Sequence, residues 1–184
     1  MNTRLTWICH GATAASRKGL FPLDEPLEDK AAEEAAGMAA LPRADRLVTS
    51  PALRARQTAE ALGLQAQPDP ALRDCDHGRW AGRSIAAIEA EEPENLMAWM
   101  SDPAAAPHGG ESLVDLGTRI AGWMDNESAL GGHVIAISHA AVIRAAIAHV
   151  LRAQSSSFWL VDVEPLGMVR MTSNGRRWSL RFQH

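Results

Sequence analysis

The hydrophobic and polar positions of this chain form short apolar runs separated by longer amphipathic stripes. Residues 5–9 and 132–138, the second reading Gly-His-Val-Ile-Ala-Ile-Ser, are largely apolar runs that predict buried strands of a parallel sheet. Residues 46–50 predict a third short strand. Each of these runs is followed by a loop or a helical pattern, so strands and helices alternate along most of the chain.

The helical patterns are strongest in the middle of the chain. Residues 111–127 carry an apolar stripe at helical spacing that includes Leu116 and Ile120, and we expect this stripe to pack into the core. Further helices are predicted at 28–41, 51–63, 83–92, 93–100 and 140–151. Loops are predicted at 17–27, 71–82 and 101–110.

The last part of the chain has the pattern of short strands. Residues 158–163, 167–173 and 177–182 are three candidates, and Asn174-Gly175 between the last two is a hairpin signal. Alternating strands and helices followed by hairpins predict an α/β fold, a three-layer α/β/α sandwich whose mostly parallel sheet has an antiparallel edge. We expect one domain over residues 1–184.

Composition narrows the function classes. The 184 residues are 46% hydrophobic, which suits one well-buried core, and the net charge of −4 without a basic stretch argues against nucleic-acid binding. No apolar run reaches bilayer length and no signal peptide is evident, so we expect a cytoplasmic protein that does not bind membranes. The two cysteines form no CxxC pair, and six tryptophans leave apolar surface for a homodimer.

Two histidines directly follow predicted strands. His10 ends the first strand and His139 ends the strand at 132–138, and the carboxyl ends of parallel strands meet at one edge of a sheet. The helix that follows Ser50-Pro51 places Arg54 in its first turn, where a helix amino terminus and a guanidinium together favour an anion. The residues therefore predict an anion-binding crevice.

These residues lie in five segments that resemble, in the same order, the motifs of the histidine phosphatase superfamily, the phosphoglycerate mutase-like proteins. Residues 9–13, Cys-His-Gly-Ala-Thr, are similar to the family motif Arg-His-Gly-x-Thr. Residues 50–59, Ser-Pro-Ala-Leu-Arg-Ala-Arg-Gln-Thr-Ala, are similar to the family motif Ser-Pro-Leu-x-Arg-Ala-x-Gln-Thr-Ala. The other segments are 72–82, Gly-Gly-Glu-Ser at 109–112, and Ser138-His139 followed by Arg144.

The resemblance implies hydrolysis of a small phosphorylated substrate without a metal or other cofactor. His10 is then the nucleophile that forms a phosphohistidine, and Asp74, in the place of a family glutamate, is the acid and base. Asp76 lies close enough in sequence to take this role instead. Arg54 and His139 hold the phosphoryl oxygens as negative charge grows in the transition state.

The resemblance also implies a set of residues that border the phosphate, namely Cys9, Gly11, Ser16, Arg17 and Ala140. Cys9 stands where the family has an arginine, and a thiol supplies neither its charge nor its forked contact. Losing such a donor costs about 2–4 kcal/mol of transition-state stabilisation, so weak activity is expected unless Arg17, Arg56 or His77 compensates. The alternative function is a catalytically impaired member that binds a phosphorylated ligand or partner.

Two further interpretations stay open. A thiolate at Cys9, with Cys75 near the same crevice, is an alternative nucleophile or redox-sensitive group, whereas a small apolar strand residue is the simpler interpretation. A zinc hydrolase would use the following histidines, which lack the local spacing of metal ligands: His10, His77, His108 and His139.

Overall fold

The computed structural model describes residues 2–182, and its six strands form a single sheet. The strands are β1 (Thr3–Cys9), β2 (Arg46–Thr49), β3 (Gln67–Pro68), β4 (Gly132–Ser138), β5 (Met168–Ser173) and β6 (Trp178–Arg181). They are ordered β3-β2-β4-β1-β5-β6. The first four in this order are mutually parallel, and β5 and β6 add an antiparallel edge. The predicted α/β class and the mixed sheet are confirmed.

Between residues 2 and 182, seven α-helices connect and cover the strands. They are α1 (Ala14–Lys18), α2 (Asp29–Ala36), α3 (Leu53–Ala61), α4 (Ile85–Glu91), α5 (Pro93–Ser101), α6 (Leu113–Leu130) and α7 (Ala140–Leu151). Short 3-10 helices lie at Pro70–Leu72, Gly78–Trp80 and Ser155–Leu160. None of the helices within residues 2–182 combines the length and apolarity needed to cross a membrane.

The two faces of the sheet carry separate cores because successive strand residues point to opposite sides. Leu5 and Trp7 of β1 pack with α6 and α7 on one face. Ile8 of β1 packs with Ala55 and Ala59 of α3 on the other face. Helices on both faces make the predicted three-layer sandwich.

The strand register brings the candidate residues to one edge of the sheet. Cys9 pairs with Ser138 across β1 and β4, and Thr49 of β2 pairs with Ile137 of β4. The residues that follow these strand ends, His10 and His139, therefore start from neighbouring positions at the same edge.

Two local predictions differ from the structure. The strand predicted at 158–163 is wrong: the 3-10 helix Ser155–Leu160 occupies its first half, and Phe158 packs against α6 and α7. The helix α1 lies partly in the predicted loop 17–27, and its start is fixed by a reciprocal capping box between Thr13 and Ser16.

Candidate active site

A crevice of about 420 Å³ opens at the carboxyl ends of β1 and β4, large enough for a small-molecule ligand. His10 and His139 both line it, and their ring centroids lie 5.1 Å apart with the planes inclined at 67°. Asp74 lines the same crevice. The two histidines and the carboxylate predicted from the sequence are therefore together.

The hydrogen bonds of His10 define its tautomer. Nδ1 lies 2.7 Å from the carbonyl oxygen of Gly11, and because a carbonyl only accepts, Nδ1 carries the proton. On the other side of the ring, Nε of Arg54 donates to Nε2 at 3.3 Å, so Nε2 holds a lone pair. His10 is thus a neutral imidazole with an oriented nucleophilic nitrogen.

Burial also keeps His10 neutral. Burial, together with the neighbouring His139 and Arg54, lowers the pKa of His10 to about 3. A neutral ring is the form that attacks an electrophile, so His10 has this form over the whole physiological pH range.

Arg54 lies beneath the crevice and is only 3% exposed. Its guanidinium donates to three acceptors: Nε2 of His10, the carbonyl oxygen of Leu23 at 2.7 Å and Oδ2 of Asp74 at 2.7 Å. The carboxylate of Glu25 lies 3.8 Å away. These contacts fix the planar group in one orientation, with its charge next to the nucleophile.

Asp74 is ionised. Burial opposes its charge, but the neighbouring His139 and Arg54 outweigh burial and hold the pKa of the carboxyl well below its usual range. Oδ1 also accepts a hydrogen bond from the backbone N–H of Cys75 at 2.9 Å. Asp76, the alternative acid, caps the backbone N–H of Gly78 and does not line the crevice.

His139 is 1% exposed and is held from both sides of its ring. Nε2 forms a hydrogen bond of 2.7 Å with Oγ of Ser50, which follows β2. Nδ1 lies 3.2 Å from Oδ2 of Asp74, without the alignment of a hydrogen bond. Ser50 therefore positions His139, a contact between distant segments that the sequence does not indicate.

The structure divides the predicted phosphate-bordering residues into two groups. Ser16 and Ala140 line the crevice, whereas Cys9 and Gly11 lie behind it, and the backbone N–H of Gly11 is bonded to Oγ1 of Thr58. Arg17 is not brought to the crevice, since its guanidinium is 56% exposed and pairs with Glu28.

Neither cysteine has the character of a reactive thiolate. Burial, together with the charge of Asp74, raises the pKa of Cys9 to about 12, and burial likewise raises the pKa of Cys75. A neutral thiol is a weak nucleophile, so the structure favours the simpler interpretation of Cys9 as a small buried strand residue.

Arg144 and an aromatic wall complete the crevice and were not assigned to it from the sequence. The wall is formed by Phe21, Trp99, Phe158 and Trp159. Trp99 stacks edge-on against Trp159 with ring centroids 4.7 Å apart. The apolar pattern of the sequence does not indicate that Trp99 of α5 and Trp159 of the 3-10 helix meet at a ligand site.

The four histidines of the zinc alternative lie in two pairs. His77 and His108 have ring centroids 5.8 Å apart, and the other pair is His10 and His139. Within residues 2–182 no group of three or more His, Cys, Asp or Glu side chains is arranged to hold a metal ion.

The lowered pKa of His10 predicts an acid-sensitive fold. Unfolded His10 titrates near pH 6.5, so below that pH the unfolded chain binds a proton that the folded protein does not. The free energy of unfolding should therefore fall by about 1–2 kcal/mol from this residue between pH 6.5 and pH 5. The contribution of Asp74 has a different window, being present above pH 4 and lost in stronger acid.

Urea unfolding at pH 7.5, 6.5 and 5 measures this dependence. The variant His10→Gln should lose less stability over that range than the parent, while His149→Gln, outside the crevice, should behave like the parent. Equal pH slopes in the parent and His10→Gln would contradict the prediction.

Comparisons of the sequence and the fold with known proteins identify the family. A family model of the histidine phosphatase superfamily (branch 1) matches residues 5–183. The glucosyl-3-phosphoglycerate phosphatase of Mycolicibacterium vanbaalenii is 38% identical over 125 residues, or 63% of this chain and 56% of that protein. The protein of that name from Mycobacterium tuberculosis is 35% identical over 120 residues, or 58% of this chain and 54% of the relative. The chain thus matches just over half the length of these curated relatives.

A solved structure extends the likeness to almost the whole fold. A mycobacterial glucosyl-3-phosphoglycerate phosphatase in complex with VO3 superposes with a TM-score of 0.84 at 27% identity, covering 97% of this chain and 96% of that one. Together with the family match over residues 5–183, this establishes the family. The chain belongs to the histidine phosphatase superfamily.

Proposed function

We propose that this protein is a phosphatase that hydrolyses a small phosphomonoester through a phosphohistidine on His10. The observation that carries the proposal is the state of His10, a neutral ring that lines the crevice and whose Nδ1 proton is held by Gly11. Its Nε2 lone pair accepts only a long, 3.3 Å hydrogen bond from Arg54, which an entering phosphoryl group replaces. The family membership and the phosphatase names of the relatives support it.

In the first step Nε2 of His10 attacks phosphorus and the bond from phosphorus to the ester oxygen breaks. Arg54 and His139 stabilise the charge on the phosphoryl oxygens. Asp74 gives its proton to the leaving oxygen, so it must first become protonated. A phosphoryl dianion beside Arg54 and His139 offsets the positive charge that lowers the pKa of Asp74, and the carboxyl then takes up a proton as substrate binds.

In the second step water attacks the phosphohistidine. The Asp74 carboxylate accepts the proton of the water, the bond between nitrogen and phosphorus breaks, and its electron pair returns to Nε2 of His10. As phosphate leaves, the proton on Asp74 is released to solvent, and both side chains regain their starting states. One carboxyl group therefore acts as acid and then as base without any metal or cofactor in the scheme.

The test measures phosphate release and trapped intermediate together. The substrates are p-nitrophenyl phosphate, 3-phosphoglycerate and, because the relatives carry its name, glucosyl-3-phosphoglycerate. With a ³²P-labelled ester and an alkaline quench, we expect label on the protein that is stable to base and lost in acid, as phosphohistidine is. Release without any acid-labile label under single-turnover conditions would contradict the covalent route.

The alternative, an impaired member that binds a phosphorylated ligand, is favoured by one observation. The thiol at position 9 is neutral and lies behind the crevice, so it gives no charge to a phosphoryl group. The same experiment separates the two functions. Phosphate binding without release or label would indicate a binding protein, whereas turnover of any of the three esters indicates the enzyme.

A further inference from the structure

The positive charge of Arg54 is already matched by carboxylates next to His10. Arg54 is the cation nearest the nucleophile, but it donates to Asp74 at 2.7 Å and has Glu25 at 3.8 Å. Since His10 is neutral, the charges of Arg54, Asp74 and Glu25 sum to minus one. A phosphoryl group that carries two negative charges needs a further cation for favourable binding.

Arg144 is a cation without a matched anion. It lies in the second turn of α7, its side chain is 25% exposed, and its guanidinium lies over the ring of Phe158 at 5.5 Å. Its Nε is buried and has no hydrogen-bond partner among residues 2–182. Asp162 forms an ion pair with Arg144 at 3.6 Å, but its side chain is 91% exposed, so solvent weakens this pair.

Arg144 also lies at the crevice that contains the nucleophile. Among the described residues that line the crevice, it is the one lysine or arginine, and it shares that lining with His10 and His139. Its charge reaches the strand end as well, because it lowers the pKa of Cys9 against the larger effect of burial. Arg144 therefore lines the same crevice as the nucleophile, and its charge acts at position 9.

We propose that Arg144 binds the reacting phosphoryl group and supplies the cation that the thiol of Cys9 lacks. This rests on the proposed function, since it names a further residue of the same site. An anion in the crevice gives the guanidinium the partner that the unliganded protein does not, and the forked group suits two phosphoryl oxygens.

The test uses ligands that carry a single anionic group. Inorganic phosphate binding is measured by titration calorimetry, and kcat/KM is measured with p-nitrophenyl phosphate, whose leaving group has no acidic substituent. Arg144→Met should weaken phosphate binding about 10- to 100-fold and lower kcat/KM by a similar or larger factor. Arg144→Lys keeps the charge without the fork and should recover part of both losses.

Two further variants serve as matched controls. Arg176→Met removes an exposed guanidinium from the hairpin of β5 and β6, outside the crevice, and should leave both measurements unchanged. Asp162→Asn removes the loose partner of Arg144 and should leave phosphate binding equal or tighter.

Two outcomes overturn the inference. If Arg144→Met binds phosphate like the parent and loses only substrates with a second acidic group, Arg144 contacts the leaving group instead. If no substrate or ligand distinguishes it from the parent, Arg144 is a surface ion-pair residue. The calorimetric result does not require turnover, so a protein that fails the phosphatase test still decides whether Arg144 binds phosphate.

Discussion

Replacement of His10 by alanine should lower the turnover of p-nitrophenyl phosphate by about 10⁴-fold or more and abolish the protein-bound label. The reason lies in the double restraint of the ring. Gly11 fixes the proton on Nδ1 and Arg54 donates to the lone pair on Nε2, so the ring is held in the orientation and tautomer of a nucleophile. His139 does not replace it, because Ser50 engages its Nε2 at 2.7 Å.

Steady-state kinetics and the label-trapping experiment, run on the same preparations, measure this effect. His149→Ala is the matched control, a histidine of α7 that lies outside the crevice and should keep parental turnover. Thermal unfolding confirms that both variants are folded. Residual turnover within tenfold of the parent, or label that survives in His10→Ala, would identify a different nucleophile.

The sheet and the central residue pair were predictable because parallel strands impose strong rules. Once 5–9 and 132–138 are assigned to parallel strands, the side chains after them must share an edge, and the register of Cys9 with Ser138 realises this. The first turn of a helix after a strand likewise placed Arg54 near that edge. These inferences needed only periodicity and strand direction.

Periodicity and strand direction do not predict which loop residues reach the site. Asp74 was assigned through family resemblance, since a carboxylate in a loop has no periodic signal, and only the structure separates it from Asp76. The contacts from Ser50 to His139 and from Arg144 to Phe158 depend on how packed elements meet. The apolar residues at 158–163 favoured a strand, but tertiary packing overrides that propensity, because Phe158 packs against α6 and α7 and Trp159 contacts Trp99.

Asp74→Asn should produce a loss of activity that depends on the leaving group. An asparagine is isosteric and can still accept from Arg54, but it neither donates a proton to an ester oxygen nor accepts one from water. For an alkyl phosphate, whose alkoxide is a poor leaving group, kcat should fall about 10³-fold. For p-nitrophenyl phosphate the first step needs little acid assistance, so the remaining loss should reflect hydrolysis of the phosphohistidine.

Label trapping distinguishes these two steps. With p-nitrophenyl phosphate, Asp74→Asn should release one equivalent of nitrophenol in a burst and then accumulate phosphohistidine, because the base for the second step is missing. Asp76→Asn is the control, since Asp76 caps Gly78 outside the crevice and should keep parental kinetics. If Asp74→Asn loses activity equally with good and poor leaving groups and shows no burst, Asp74 only positions Arg54 and His139. If Asp76→Asn instead loses activity selectively with poor leaving groups, Asp76 is the acid.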